Sequence, residues 1–326
     1  MTEATATNAG TAHTILLASD GSQSARPAEG VAAALATALR AKVALVSVLE
    51  FEPWRDLDYQ VNQLYLDDRR REIRGQLQET AQRLQAQGVT VETHNPVGLP
   101  SQEILALASS LRSDLVVVGT HGRAGLDHVL IGSTAERVVR GAPCPVVTVH
   151  SAIGAESRVG WTFDTMLVPL DLSDCSREVL AYALHLAERL GSALTLLHVV
   201  EPVGYGLDFT LTHAMTGAAL RQEVDRAMDE RLAECRRRGV RAESLVVPGV
   251  PADTIQRLAE GRGTRAIVMG THGRRGWSHV RFGSTAESVV RHARCPVFTV
   301  RNRTRADEGA AVSSPAGESA LRRAST

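Results

Sequence analysis

Residues 114–136 read DLVVVGTHGRAGLDHVLIGSTAE. An almost wholly apolar run reaches Gly119, passes through a string holding four glycines, and leaves through Ser133-Thr134-Ala135-Glu136. The apolar run has the composition of a strand buried on both faces, as strands of parallel sheets are. Ser-x-x-Glu ahead of an apolar pair is a capping-box pattern, which predicts a helix beginning at Ser133. Strand, glycine-rich turn and helix in that order make one βα step of an α/β fold.

The string returns at residues 265–287 as RAIVMGTHGRRGWSHVRFGSTAE, 151 residues later. Between Gly119 and Val149, 22 of 31 positions match their partners at that offset. The same offset pairs Asp20 with Asp171, Glu50 with Glu201, Gly88 with Gly239, Gly98 with Gly249, Pro100 with Pro251 and Cys144-Pro145 with Cys295-Pro296. A period this long is no solenoid repeat. It predicts tandem domains over 13–150 and 165–303, joined by a linker at 151–164. The tails 1–12 and 304–326, rich in small and polar residues, are expected to be disordered.

Each copy reads outward from the string as alternating strands and helices. In the first, TILLAS (14–19), KVALVSVLE (42–50), VTVETH (89–94), DLVVVGT (114–120) and CPVVTVH (144–150) are predicted strands. Helices are predicted from the DGSQSARP segment to about Arg40, from Leu57 to Gln87, over 100–112 and over 133–141. The second copy repeats the order. Strands separated by helices imply a parallel, doubly wound sheet. Pro145 and Pro296 near the start of the fifth strands favour edge positions, and an exposed edge on each half can pair with the other.

Composition narrows the function. At 326 residues the length suits two domains, and 44% hydrophobic against 22% charged residues with zero net charge describes an ordinary globular chain. A nucleic-acid or acidic-membrane binder would carry a basic excess. No apolar run reaches the ~20 residues of a membrane span, and the first residues lack the basic start and apolar core of a signal peptide. The four cysteines form no CxxC pair, so neither zinc nor a disulfide framework is indicated and a reducing cytoplasm is expected. Lys42 is the single lysine, which leaves arginine as 35 of the 36 basic residues and nearly removes a P-loop lysine from consideration.

Open parallel sheets bind ligands beyond the carboxyl ends of their strands, where strand order reverses, and the glycine string lies there. Its glycines let backbone amides approach a ligand, and a helix N-terminus attracts phosphate. Competing explanations are simple: glycines also serve plain turns, and a capping box needs no ligand. Asp20 and Asp171 can bond their own turns or a ligand. His121 and His272 read as loop residues, Arg123 and Arg274 as phosphate contacts or solvated side chains, and Cys144 and Cys295 as small core residues.

Gly119-x2-Gly122-x9-Gly132-Ser133 and Gly270-x2-Gly273-x9-Gly283-Ser284 resemble the ATP-binding signature of the universal stress protein family. The apolar first strands ending in Asp20 and Asp171, and the closing CPVVTV and CPVFTV, fit the same pattern. The resemblance covers about 290 residues and is to a tandem-domain member. It implies two flavodoxin- or Rossmann-like domains, related to the adenine nucleotide alpha hydrolases, each a five-stranded parallel sheet of order 3-2-1-4-5 with helices on both faces. It implies adenosine near Ser19, Asp20 and Val48 in one site, and near Leu170, Asp171 and Val199 in the other. Ribose and phosphates would meet Val118, Gly119, Thr120, His121, Gly122, Arg123, Gly132, Ser133 and Thr134. The second set is Met269, Gly270, Thr271, His272, Gly273, Arg274, Gly283, Ser284 and Thr285. ATP in two sites, with magnesium held mainly by its phosphates, is the implied cofactor.

No catalytic residue is assigned, because no general base is evident at the phosphate end. The expectation is a nucleotide-dependent regulatory protein, an intramolecular pseudo-dimer that can also form a homodimer and that a regulatory protein partner reads. Nucleic acid and membrane are not expected partners. A weak ATPase or autophosphorylating enzyme, and an interaction module with unused loops, are the alternatives.

Overall fold

The computed structural model describes residues 13–50, 59–120, 131–151, 160–201, 211–271 and 282–301. Both expected tails and most of the expected linker lie outside the described residues. The first copy runs β1 (Thr14–Ala18), α1 (Arg26–Leu39), β2 (Lys42–Val46), α2 (Tyr59–Gln85), β3 (Val91–His94), α3 (Pro100–Ser110), β4 (Leu115–Gly119), α4 (Ser133–Gly141) and β5 (Val146–Val149). The second runs β6 (Thr165–Pro169), α5 (Asp174–Leu190), β7 (Ala193–Val200), α6 (Leu211–Arg237), β8 (Ala242–Pro248), α7 (Pro251–Gly261), β9 (Ala266–Gly270), α8 (Ser284–His292) and β10 (Val297–Val300). None of these helices is long and apolar enough to cross a membrane.

Local chemistry sets many of the ends. Pro100 and Pro251 open α3 and α7, where a missing N–H costs nothing. α1 and α5 both stop at a left-handed residue, Arg40 in one and Gly191 in the other. The second strand is shorter than its apolar run predicts. β2 stops at Val46, and Leu49 then makes only an isolated bridge to Val97. The cause lies in the segment that follows β3: Pro96 has no N–H to donate, and the Asn95 side-chain amide takes the Ser47 carbonyl at 2.7 Å instead. β7, without that interruption, continues to Val200.

Within each half the sheet is parallel, in the order third, second, first, fourth, fifth strand. The halves join into one ten-stranded sheet, β3-β2-β1-β4-β5-β10-β9-β6-β7-β8. The join is antiparallel and short: Val146, Val147 and Thr148 face Thr299, Phe298 and Val297. Pro145 and Pro296 fall just before these paired residues, so neither costs the seam a donor. Each proline keeps its carbonyl for its own half, accepting from Val116 in one and Ile267 in the other. Two buried threonine hydroxyls cross the seam, Thr299 donating to the Val146 carbonyl at 3.0 Å and Thr148 to the Val297 carbonyl at 3.4 Å.

The core does not stop at the seam. On one sheet face, α1, α2, α5 and α6 bury a single apolar cluster that contains Leu17, Leu35 and Val147 from one half and Leu184, Leu196 and Phe298 from the other. On the opposite face α3, α4, α7 and α8 cover a second cluster that also mixes the halves. Phe298 is fully buried and meets Phe163 edge to face, with ring centroids 6.1 Å apart. Arg189 of α5 donates to the Leu39 carbonyl at the end of α1 at 2.6 Å. A core shared this way predicts one cooperative unfolding transition for both halves. Phe298→Ala is expected to lower stability by about 3–5 kcal/mol, measured by urea unfolding. Two separate transitions, with one half unmoved by the substitution, would contradict the shared core.

Candidate functional site

Each half places its first and fourth strands side by side, and their carboxyl ends frame a crevice. In the first half, Ser19 follows β1 and its amide donates to the Val46 carbonyl at 3.0 Å. Thr120 follows β4, and its amide donates to Val149 at 3.0 Å. The chain then leaves through the glycine string and returns at Gly132, whose amide donates to the Thr120 carbonyl at 2.8 Å. The second half repeats the geometry: Leu170 to Leu197 at 2.8 Å, Thr271 to Val300 at 3.1 Å and Gly283 to Thr271 at 2.9 Å. The glycine after each string is therefore clamped onto the threonine before it. A side chain does not fit that clamp well, since a Cβ on Gly132 would lie 3.1 Å from the Thr120 carbonyl oxygen.

The expected capping box is absent. Gly132 and Gly283 are the caps, Ser133 and Ser284 are the first helical residues, and neither helix has a side-chain cap. Glu136 and Glu287 turn forward to Arg140 and Arg291, one turn along their own helices. The sequence pattern misled because the clamp to threonine fixes the glycine, not the serine, as the last extended residue. Ser133 and Ser284 are left exposed, and Thr134 and Thr285 half-buried, at a helix end whose first amides no side chain of α4 or α8 satisfies. Such an end suits an oxyanion.

Asp20 and Asp171 build identical turns. Asp20 Oδ1 accepts from the Ser22 amide at 3.0 Å and the Ser22 hydroxyl at 2.6 Å. Asp171 Oδ1 accepts from the Ser173 amide and hydroxyl at the same two distances, and from the Ser176 hydroxyl. The turn requires a left-handed residue next. Gly21 supplies it at φ 73°, but Leu172 must adopt φ 63°, at a cost of about 1–2 kcal/mol for an L side chain.

Other expected site residues divide by their surroundings. The side chains of Val118 and Met269 are buried in the core, and those of Val48 and Val199 are half-buried on the face that α3 and α7 cover. Leu170 is buried, and Ser19 is turned inward, donating to Glu29 at 2.9 Å. Gly119 and Gly270 end their strands, while Thr120 and Thr271 are buried behind the clamp. His121, Gly122, Arg123, His272, Gly273 and Arg274 lie outside the described residues. Lys42 sits at the amino end of β2, paired with Glu92 at 2.9 Å, on the wrong side of the sheet to hold a phosphate.

Sequence inspection missed two residues. Glu29, on the otherwise alanine-rich α1, is buried and paired with Arg83 of α2 at 2.9 Å; its signal is a lone carboxylate on an apolar helix face. His198 is also buried, and its Nδ1 donates to the Leu170 carbonyl at 2.7 Å. The first copy has Ser47 at that position, so only comparison of the copies exposes it. Near Asp171, burial pushes the Cys175 thiol up, with the Ser173 hydrogen bond opposing.

The glycine clamp makes a paired prediction. Gly132→Ala is expected to destabilise by about 1 kcal/mol or more, because the carbonyl it meets is held by the clamp itself. Ser133→Ala should change stability by less than about 0.5 kcal/mol, well under the ~1 kcal/mol of a lost side-chain cap. Urea unfolding of the two variants separates these values, and a larger loss for Ser133→Ala would restore the serine as the cap.

Comparison with known proteins supplies the family. The Universal stress protein family model matches residues 11–150 and again 162–301. A universal stress protein of Mycobacterium tuberculosis is 32% identical over 200 residues, covering 59% of this chain and 63% of that relative, so the match spans less than two thirds of its length. A universal stress protein of Mycolicibacterium smegmatis is 30% identical over 224 residues, with 66% of this chain and 70% of the relative covered. Among solved structures, a universal stress protein from Archaeoglobus fulgidus superposes with a TM-score of 0.64 at 22% identity, covering 88% of this chain and 98% of its own, a likeness of fold. With two matches that together take in most of its length, the chain belongs to the universal stress protein family.

Proposed function

We propose that this protein is a nucleotide-dependent regulator of a stress response, binding one adenine nucleotide, ATP with magnesium, in each half. The observation that carries the proposal is the doubled clamp. Twice, a strand end and a helix start are tied through a glycine amide, leaving first-turn amides without a side-chain cap beside a left-handed aspartate turn. Phosphates would lie at Gly132, Ser133 and Thr134 in one half and at Gly283, Ser284 and Thr285 in the other, with Gly119, Thr120, Gly270 and Thr271 below them. The string residues His121, Gly122, Arg123, His272, Gly273 and Arg274 belong to the same two proposed sets. Asp20 and Asp171, with the backbone at Ser19, Val48, Val118, Leu170, Val199 and Met269, would hold the adenosine.

Magnesium, when bound, would neutralise phosphate charge that no lysine is there to meet. The units proposed are 13–150 and 165–303, working in a cytoplasm that leaves the four cysteines as thiols. The occupied strings are the surface a homodimer or a regulatory protein would read.

Calorimetry and thermal melting with ATP, ADP and cyclic AMP test this. The wild type is expected to bind ATP and to gain about 2.7 kcal/mol at one hundred times the dissociation constant. The double variant Gly122→Ala, Gly273→Ala should lose both effects while unfolding normally in nucleotide-free buffer. A chain that binds no adenine nucleotide, or a double variant that binds as before, would refute the proposal.

A further inference from the structure

The turn that carries Asp20 is held from behind. Its Gly21 amide donates to the Ser19 hydroxyl oxygen at 3.1 Å, and that hydroxyl donates to Glu29 Oε1 at 2.9 Å. Glu29 is buried on α1. Arg83 of α2 donates to its other oxygen at 2.9 Å and to the Thr80 hydroxyl at 2.7 Å, and Thr80 lies 3.4 Å from Oε1. A chain of hydrogen bonds thus runs from α2 through Glu29 and Ser19 to the turn. Gly21 stands at φ 73° with no side chain to restrict it, so the bond to Ser19 is what limits its freedom.

The second copy holds the same turn by other means. At the offset of 151, Leu170 stands for Ser19 and Leu180 for Glu29, and both are buried in the core. Ser176 has replaced Ala25. Its hydroxyl accepts from the Asp171 amide at 3.0 Å and donates to Asp171 Oδ1. Ala25 occupies the same place in its own half. The amides of Ala25 and Ser176 donate to the carbonyls of Ser22 and Ser173 at 3.2 and 3.1 Å, and both residues are buried. Leu172 replaces Gly21, with its side chain packed against the core.

These exchanges separate what Glu29 does for the fold from what it does for the turn. An ion pair taken out of water gives little net stability, and apolar residues of similar size commonly do as well. Leu180 shows that this helix position packs with an apolar side chain. A leucine there cannot accept from Ser19. The carboxylate is therefore needed where serine, rather than leucine, follows the first strand.

We propose that Glu29 is a positioning residue of the first crevice. Held by Arg83, it orients the Ser19 hydroxyl, which fixes the Gly21 amide and so the direction in which Asp20 meets a ligand. Ser176 does the same for Asp171 in the second crevice, by direct contact. The consequence for nucleotide rests on the function proposed above, whereas the lock on the turn does not.

Two readouts on the full chain test this. Amide hydrogen exchange without nucleotide, followed by NMR, reports on Gly21 and Ser22 and on Leu172 and Ser173. Calorimetry with ATP and magnesium measures the two sites. In Glu29→Leu, exchange at Gly21 and Ser22 is expected to quicken about tenfold and one of the two ATP affinities to fall by roughly the same factor, a loss matching one hydrogen bond to a charged group. Leu172, Ser173 and the other affinity should not move. Adding Ala25→Ser to Glu29→Leu should recover both readings, which a merely structural loss would not allow. Ser19→Ala, which leaves Glu29 paired with Arg83, should reproduce the first variant and replaces it if that variant does not fold. Unchanged exchange at Gly21 and Ser22, an equal loss at both sites, or no recovery with Ala25→Ser would overturn the positioning role. A wild type that binds no ATP, with the exchange pattern as expected, would refute the nucleotide reading and leave the lock standing.

Discussion

The antiparallel seam between β5 and β10 is the constraint on which the molecule's arrangement depends. A parallel five-stranded half ends in a strand whose outer N–H and C=O groups need partners. Here each half provides them for the other over three residues. Because the pairing is antiparallel while each half is parallel, the carboxyl ends of the two sets of strands point in opposite directions. The two crevices therefore open at opposite ends of one sheet. Any influence of one on the other must pass through the seam and the core that it carries, where Phe298, Val147 and their neighbours are packed without a boundary.

Duplication has kept the backbone and changed what hangs from it. The aspartate turn is the same in both halves to a tenth of an ångström, yet one uses Gly21 and the other strains Leu172 into the same left-handed conformation. Ser19 donates to a buried glutamate where its partner Leu170 is core. Ser47 has become His198, and Glu29 has become Leu180. These exchanges cluster beside β1 and β6 and beneath the helices that follow them. The string keeps its glycines, Gly119, Gly122, Gly125 and Gly132 matching Gly270, Gly273, Gly276 and Gly283. The two crevices thus share the frame that would meet phosphate and differ in the shell behind it.

Much of this was legible in sequence because the signals were local or repeated. The all-apolar Leu115–Val118 run could hardly be anything but a strand covered on both faces, and the offset of 151 gave the tandem order. Gly88 and Gly239, matched at that offset, follow the ends of α2 and α6 at φ 81° and 70°. What escaped depended on partners far along the chain. The helix start at Ser133 was legible, but the capping box there failed because the clamp to Thr120, across the string, makes Gly132 the cap. β2 ended early because Asn95 and Pro96, in the segment that follows β3, changed the donors available to it. The buried Glu29–Arg83 pair joins residues 54 apart and leaves no trace in local periodicity. In the site itself, the aspartates and the glycines Gly132 and Gly283 were visible as candidates, whereas their clamp to threonine and the inward turn of Ser19 were not.

The central claim is that one chain carries two equivalent phosphate-holding frames at opposite ends of a single sheet. Native mass spectrometry of the intact protein, equilibrated with ATP and magnesium and then desalted, counts ligands per chain directly. The account predicts a fully loaded species with two adenine nucleotides on one chain. A protein that saturates at one, or takes up none, would contradict it.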